Sequence, residues 1–430
     1  MYDQTFTART LAKEFRGSDF DSFRYLRDEE KRQKTVDEAA ERFKAGIELE
    51  KLVETRTIRG KSIHSIKNFQ EELIIRKLTR NLAYQANIKQ QNRDPIICTI
   101  ANLLEEGIIY RVYRLDIKSF YESLPSSLIN KELDDIKYLS NDTKALITKI
   151  LTHFSSNGIG IPRGLSLSAV LAELAMKNFD NAVRCHEQVT YYCRYVDDIL
   201  IITTGEEKQY SFIRELRKSL PSGLEFNRKK FNVIEAKEKV KFQSVPKTNQ
   251  KTKLPPQGKA TSALLSFEFL GYEFEVFNPI KSGIKLESCP RTVTIDIAKS
   301  KVRKIKSRLA QSFLSYKKSK DYSLLRDRIR YLTSNFSVKD ADRQRKRLAG
   351  IYHNYHRAHA STSKSLKDLD HFLFSLLILK NSPLTRSILL SKKQEKELNS
   401  FSFRRGFEEK TYSNFSSERL VKIQECWKYA

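Results

Sequence analysis

Two adjacent carboxylates, Asp197 and Asp198, follow Tyr195-Val196 and precede the apolar stretch Ile199-Leu200-Ile201-Ile202. Paired aspartates are ordinary at a surface turn. Here they fall at the tip of two strongly apolar segments, where a hairpin usually takes Asn-Gly or Asp-Gly. Two anions beside a buried sheet repel each other and lose hydration unless a cation compensates them. From this pair alone, a decorated turn and a metal site both stay open. Asp116 narrows the choice, because it ends a second strand-like segment, Arg114-Leu115-Asp116-Ile117. If that strand pairs beside the hairpin, Asp116 and Asp197 face each other. Two oxygen-ligated ions about 3.5–4 Å apart can then be held, the arrangement of two-metal nucleotidyl transfer. Hard carboxylate oxygens suit Mg²⁺, which keeps several waters and binds substrate phosphates as well.

These groups need a sheet and something to brace it. From Ile109, the run IIYRVYRLDI alternates as a strand, and 191–195 with 199–203 read as a hairpin. NGIGIPRG at 157–164 reads as a loop, followed by a long apolar helix over 165–186. Upstream, Thr35 with Glu38 predicts a capping box that opens a helix over 36–55. Gly60 reads as a break before a second helix over 63–91, and Asp94-Pro95 as the N-cap and first residue of a short helix. The stretch 239–262, with three prolines and six lysines, reads as an exposed basic loop, and beyond Arg291 strands give way to helices.

The chain has 430 residues, 40% of them hydrophobic, so it can build a core and a wholly disordered state is excluded. Its formal net charge of +27 predicts a polyanionic partner, nucleic acid before an anionic membrane. Residues 291–360 hold 19 Lys+Arg against 5 Asp+Glu, a net of +14 and about half of the whole excess. No run of 18 apolar residues and no secretory leader is visible, and five scattered cysteines form no CxxC pair. The expectation is a soluble cytoplasmic protein with no membrane partner.

The order strand-Asp, glycine loop with helix, then Tyr-Val-Asp-Asp hairpin resembles the palm motifs of reverse transcriptases. GIPRGLSLS at 160–168 resembles their loop under template and incoming nucleotide. SGLEFNRKKF at 222–231 resembles the later motif that carries an active-site lysine, and FEFLGYEF at 267–274 resembles the primer-grip hairpin. Arg163 stands where most relatives have glutamine. The blocks VYRLDIKSFYESLP and GIPRGLSLSAVLAELAM are most similar to bacterial defence-associated reverse transcriptases, in particular the kind that pairs two polymerases with a non-coding RNA.

The resemblance implies an α+β right-hand polymerase with fingers, a split βαββαβ palm and a helical basic thumb. It divides the chain into an N-terminal helical extension (1–60), fingers (61–108), palm with primer grip (109–280), and thumb with C-terminal helices (281–430). It implies that Asp116, Asp197, Asp198 and the Ile117 carbonyl hold two Mg²⁺, with Mn²⁺ as a substitute, and that Lys230 acts on the leaving pyrophosphate, adjacent Lys229 being the alternative. It places Tyr121 as the sugar gate, with Arg163, Gly164, Lys89 and Arg93 at the nucleotide. Lys301, Lys304, Arg308, Gly271 and Tyr272 would hold nucleic acid. The implied activity is RNA-directed DNA synthesis on an associated non-coding RNA in antiviral defence. Deoxynucleoside triphosphates are the substrates and DNA the product; a second reverse transcriptase subunit and self-association are further implied partners. A template-independent or protein-primed polymerase and a non-catalytic RNA-binding scaffold remain the alternatives.

Two further signals have blander explanations. His353, His356 and His359 spread over too many degrees of helix to share one ion, and no nearby Cys or acid completes a tetrahedron. A helix over 296–313 sets Val302, Ile305, Leu309 and Phe313 in one stripe amid basic residues. That stripe is narrow for a membrane surface and suits docking onto protein.

Overall fold

The computed structural model describes residues 2–58, 60–236, 263–278, 290–340, 345–379 and 389–427. By their contacts they form two compact units. The first is Met1–Arg93 and Tyr110–Glu235 with Lys339–Lys346; the second is Asp94–Ile109, Ala236–Val338 and Arg347–Ala430.

In the first unit, after short helical segments between Ala8 and Arg27, the first long helix runs over Glu29–Ala45. Asp28 caps it, its side chain accepting from the Lys31 N–H, and Gly46 ends it at φ +91°. Thr35 therefore lies inside the helix, donating to the Lys31 carbonyl at 2.7 Å, and makes no capping box. Asp28 takes the cap because two glutamates follow it, which suits the positive helix end. The second correction concerns 53–66. A hairpin of β1 (Val53–Ile58) and β2 (Lys61–Ile66) stands where the end of one helix, a break at Gly60 and the start of another were expected, with Gly60 near its turn at φ +75°. Val53, Thr55, Thr57, Ile58, Ile63 and Ile66 are β-branched and favour extended chain. The next helix starts only at Phe69 and runs to Gln85.

A four-stranded sheet in the order β4-β5-β3-β6 forms the centre, from β3 (Tyr110–Asp116), β4 (Val189–Tyr195), β5 (Asp198–Thr203) and β6 (Asn232–Ala236). β3 and β5 run antiparallel, from Arg111 opposite Thr203 to Asp116 opposite Asp198. The helix Ser166–Arg184 buries Leu167, Val170, Leu171, Leu174 and Phe179, and these join Leu115, Ile117, Ile199 and Ile201 in one core. Each such side chain contributes about 1.5–3 kcal/mol by leaving water. The sheet end that carries the aspartates therefore rests on a rigid base.

The second unit holds a three-stranded antiparallel sheet of β7 (Leu265–Phe269), β8 (Tyr272–Phe277) and β9 (Thr292–Ile297). Helices Lys299–Ser319, Tyr322–Thr333 and Lys364–Phe374 pack a separate core around Leu309, Phe313, Leu325, Ile329, Leu366 and Leu369. The expected stripe buries Val302, Leu309 and Phe313, with Ile305 packed partly buried beside them. The helix begins at Lys299, because Asp296 belongs to β9. Asp94 sits within the Arg93–Leu104 helix instead of capping it, its carboxylate pairing with Arg357 and His356. Segment 94–109 thus belongs to the second unit, whereas the sequence grouped 61–108 together. The expected basic loop at 239–262 lies outside the described residues. Among the described residues, no helix is long and apolar enough to cross a membrane.

Candidate active site

Asp116 and Asp198 are direct cross-strand partners at the ends of β3 and β5, so their side chains leave the sheet on one face. Asp197 sits in the turn just before β5, and Tyr195 opposite Asp198 closes that turn over two residues. The turn is unusual: Val196 has φ +62°, a left-handed conformation that costs a β-branched residue about 1–2 kcal/mol. Two hydrogen bonds hold it there. Arg194 Nη1 donates to the Val196 carbonyl at 3.1 Å, and the Ile117 amide donates to the Asp197 carbonyl at 3.1 Å. In extended chain one residue's N–H and C=O point to the same side, so the Ile117 carbonyl also faces the hairpin.

The third support comes from 225–230. The Lys118 amide donates to the Glu225 carbonyl at 2.9 Å, and the Asn227 amide to the Asp116 carbonyl at 2.7 Å. The Asn227 side chain donates to Asp116 Oδ1 at 2.9 Å, and Lys230 Nζ reaches Asp116 Oδ2 at 2.5 Å. Lys229 takes no such place; its amide donates to Asn227 Oδ1. Burial raises the Asp197 and Asp198 carboxyls above the usual range, and the neighbouring aspartates add to it. Burial alone would lower the Lys230 ammonium, but Asp116, Asp198 and Asp197 together raise it. The site is an anionic cluster with one cation inside it.

Beside the cluster lies a cleft of 900 Å³, lined among others by Tyr121, Arg163, Gly164, Ser166, Glu173 and Val196. Tyr121 sits on a short helix, Phe120–Ser123, and burial pushes its hydroxyl up to about 12. The Arg163 guanidinium lies 4.8 Å from the Tyr121 ring centre. Gly164 has φ +103°, and a Cβ there would meet the His64 carbonyl at 2.4 Å, so only glycine fits.

Residues 72–274 match the family described as reverse transcriptase (RNA-dependent DNA polymerase). That segment, just under half of the chain, resembles a reverse transcriptase domain. Its fold class is the α+β right-hand polymerase, and the activity in the matched family's description, RNA-dependent DNA polymerase, is a nucleotidyl transfer. No curated protein matches the sequence. Among solved structures, apo telomerase from Candida tropicalis truncated from its C-terminal domain shares 12% identity, with a TM-score of 0.36 over 54% of each chain. Telomerase from Candida albicans in complex with a TWJ fragment of telomeric RNA shares 11% identity over 87% of this chain and 61% of that one, at a TM-score of 0.32. The chain thus spans between half and two thirds of the length of these telomerases.

All of Asp116, Asp197, Asp198, Tyr121, Arg163 and Lys230 fall inside the reverse transcriptase segment. Lys89 is exposed, and neither it nor Arg93 lines the cleft, where Gln90, Gln91 and Arg16 stand instead. Tyr272 departs from expectation. Its ring is buried, edge-on to Tyr355 at 6.2 Å, so it cannot stack on nucleic acid. Gly271 lies in the β7–β8 turn at φ +85°. Lys301 is exposed and Lys304 half-buried, whereas the Arg308 guanidinium lies 5.3 Å from the Trp427 ring centre.

Sequence reasoning missed Arg194, Asp180 and Glu173. Arg194 is buried, donates from Nε and Nη2 to Asp180, and bridges Glu173 at 2.6 Å. Tyr192 also donates to Asp180. The signal was present: a lone arginine on an apolar strand needs buried partners, and Glu173 and Asp180 are seven apart on one helix face. Asn227 was equally legible, three residues before Lys230. Replacing Arg194 by methionine should cost about 3–5 kcal/mol, because the buried Asp180 and the half-buried Glu173 lose their counter-charge. Chemical denaturation compared with wild type checks this; a loss under 1 kcal/mol would show that the network does not brace the hairpin.

Proposed function

We propose that the protein is an RNA-directed DNA polymerase that extends a primer 3′ end with deoxynucleotides, using two Mg²⁺ held by Asp116, Asp197, Asp198 and the Ile117 carbonyl. One observation carries this reading: two carboxylates from paired strands and a third from the adjoining turn gather at one sheet end with Lys230 among them. Polymerases of this family use divalent metal ions. The oxygen donor set fits such ions in kind. As placed, no three His, Cys, Asp or Glu side chains among the described residues converge tightly enough for one ion. Lys230 instead supplies the positive charge at Asp116. Bound there, the ions would activate the primer hydroxyl and neutralise the leaving pyrophosphate.

The chain's own residues do the rest. The Lys230 ammonium, held charged by the aspartates, stands ready to neutralise or protonate a departing phosphate. Asn227 fixes the Asp116 carboxylate while Lys230 exchanges partners. The Tyr121 ring lines the cleft where a ribose 2′-hydroxyl would collide with it. The basic helices after 291 grip the template–primer duplex, and an associated non-coding RNA is the template in a bacterial defence setting, in the cytoplasm. Purified protein given Mg²⁺ and deoxynucleotides should make labelled DNA that is lost after RNase pretreatment. Synthesis that survives RNase would favour the template-independent alternative.

The gate gives a separate expected result. Tyr121→Val should admit ribonucleotides while deoxynucleotide incorporation persists, since a steric wall is removed and no metal ligand is touched. Steady-state kinetics with paired deoxy- and ribonucleotides measure it. An unchanged preference would make Tyr121 a core residue.

A further inference from the structure

The cleft wall holds a charge pair that nucleotide chemistry does not require. Arg163 binds Glu122 through two nitrogens, Nε to Oε1 at 3.0 Å and Nη2 to Oε2 at 3.2 Å. The same guanidinium faces the Tyr121 ring, one residue before Glu122 in the chain. Lys61 approaches Glu122 at 3.6 Å from the β1–β2 hairpin. Both backbones are tied down as well. The Ile161 amide donates to the Tyr121 carbonyl at 2.9 Å, and the His64 amide donates to the Arg163 carbonyl at 2.8 Å.

We propose that Glu122 and Arg163 are positioning residues that fix the angle of the Tyr121 ring and thereby set how strictly ribonucleotides are excluded. The proposal rests on the reading of Tyr121 as the sugar gate. Tyr121 can reorient about its side-chain torsions unless its face is held. The forked guanidinium, planar and bound at two points, presents one flat surface to that face. Glu122 orients the fork. Removing either partner frees the other, so the two should act as one unit.

The test compares kcat/KM for dATP and ATP in wild type, Glu122→Gln, Arg163→Gln, Arg163→Lys, the Glu122→Gln/Arg163→Gln double variant and Tyr121→Val. Both side chains of the pair are about a third exposed, 30% for Arg163 and 40% for Glu122, so the variants should fold. Discrimination against ATP should fall by about two- to fivefold in each Gln variant, the range of an exposed cation–aromatic contact. The gain should lie in the KM for ATP, with kcat for dATP little changed in Glu122→Gln. The double variant should match the singles, and Arg163→Lys should recover only part. Equilibrium Kd values for dATP and ATP with Mg²⁺ give the same ratio where turnover is too slow.

Full discrimination in Glu122→Gln, with loss in Tyr121→Val, overturns the positioning role and leaves the gate standing. Additive losses in the double variant overturn it too. Full discrimination in Tyr121→Val overturns the gate and this proposal together.

Discussion

Asp197→Asn should abolish DNA synthesis, by about 10³-fold or more, and yet raise the melting temperature of the metal-free protein. The first half follows from transition-state charge: a ligand group lost at the reacting phosphate removes about 4 kcal/mol or more. The second half follows from the strained anions. Burial and neighbouring carboxylates raise the Asp197 and Asp198 carboxyls, so folding disfavours their charged form relative to the unfolded chain. A raised carboxyl contributes stability that is full below its unfolded pKa and lost as pH rises through its folded pKa. At neutral pH the charged pair therefore opposes folding, and asparagine relieves it. The backbone bond from the Ile117 amide to the Asp197 carbonyl survives the change. Mg²⁺ should raise the melting temperature of wild type by a few degrees and that of the variant by less, since a ligand that binds only the folded state stabilises it by about 2.7 kcal/mol at 100 times its Kd. Thermal melts with and without Mg²⁺, beside primer extension, measure both halves. Normal synthesis by folded Asp197→Asn protein would remove the active-site assignment.

That Asp116, Asp197 and Asp198 come together at one sheet end was more legible than the elements around them, for a physical reason. Asp116, Asp197 and Asp198 announce themselves because carboxylates at the ends of apolar strands carry an unbalanced cost, visible in one dimension. Choosing Lys230 over Lys229 was beyond the sequence, since adjacent lysines differ only in which one the short 228–230 turn aims at Asp116. The two ends of the hairpin at 53–66 were read as the close of one helix and the opening of the next because its alternation, VETRTI and KSIHSI, has mostly polar residues on both faces. Its strands are largely exposed and carry little burial signal. Tyr272 was read from a resemblance to the primer-grip hairpin, but its ring and its neighbours Phe269, Phe274 and Val276 are buried in their unit. Arg308 shows the same limit: its charge is visible in sequence, its place against Trp427 is not.

That last distinction separates two kinds of cation on the helix Lys299–Ser319, and salt can tell them apart. The net +14 over 291–360 exceeds what solubility needs, because mixed charges keep a helix in solution equally well. We expect Lys301, Arg303 and Lys304 to contact duplex phosphates, and Arg308 to be occupied by packing. Each neutralised phosphate releases condensed counterions, so three lost contacts should flatten the log-affinity against log-salt slope by about 2–3 units. The triple variant Lys301→Gln, Arg303→Gln, Lys304→Gln should show that change on an RNA–DNA duplex. With about 6–10 contacts in all, wild type should lose roughly 10³–10⁵ in affinity between 50 and 200 mM salt. Arg308→Gln should instead lower the melting temperature and leave the slope in place. Its guanidinium covers the indole, and the Trp427 Nε1–H donates to its carbonyl at 2.9 Å and to Ser312 Oγ at 3.1 Å. Fluorescence anisotropy of labelled duplex across a salt series reads the slopes, and Trp427 emission reads its packing. An unchanged slope in the triple variant would take the duplex grip away from this helix. A full unit of slope lost in Arg308→Gln, with melting unaltered, would show that the guanidinium leaves the indole to meet a phosphate.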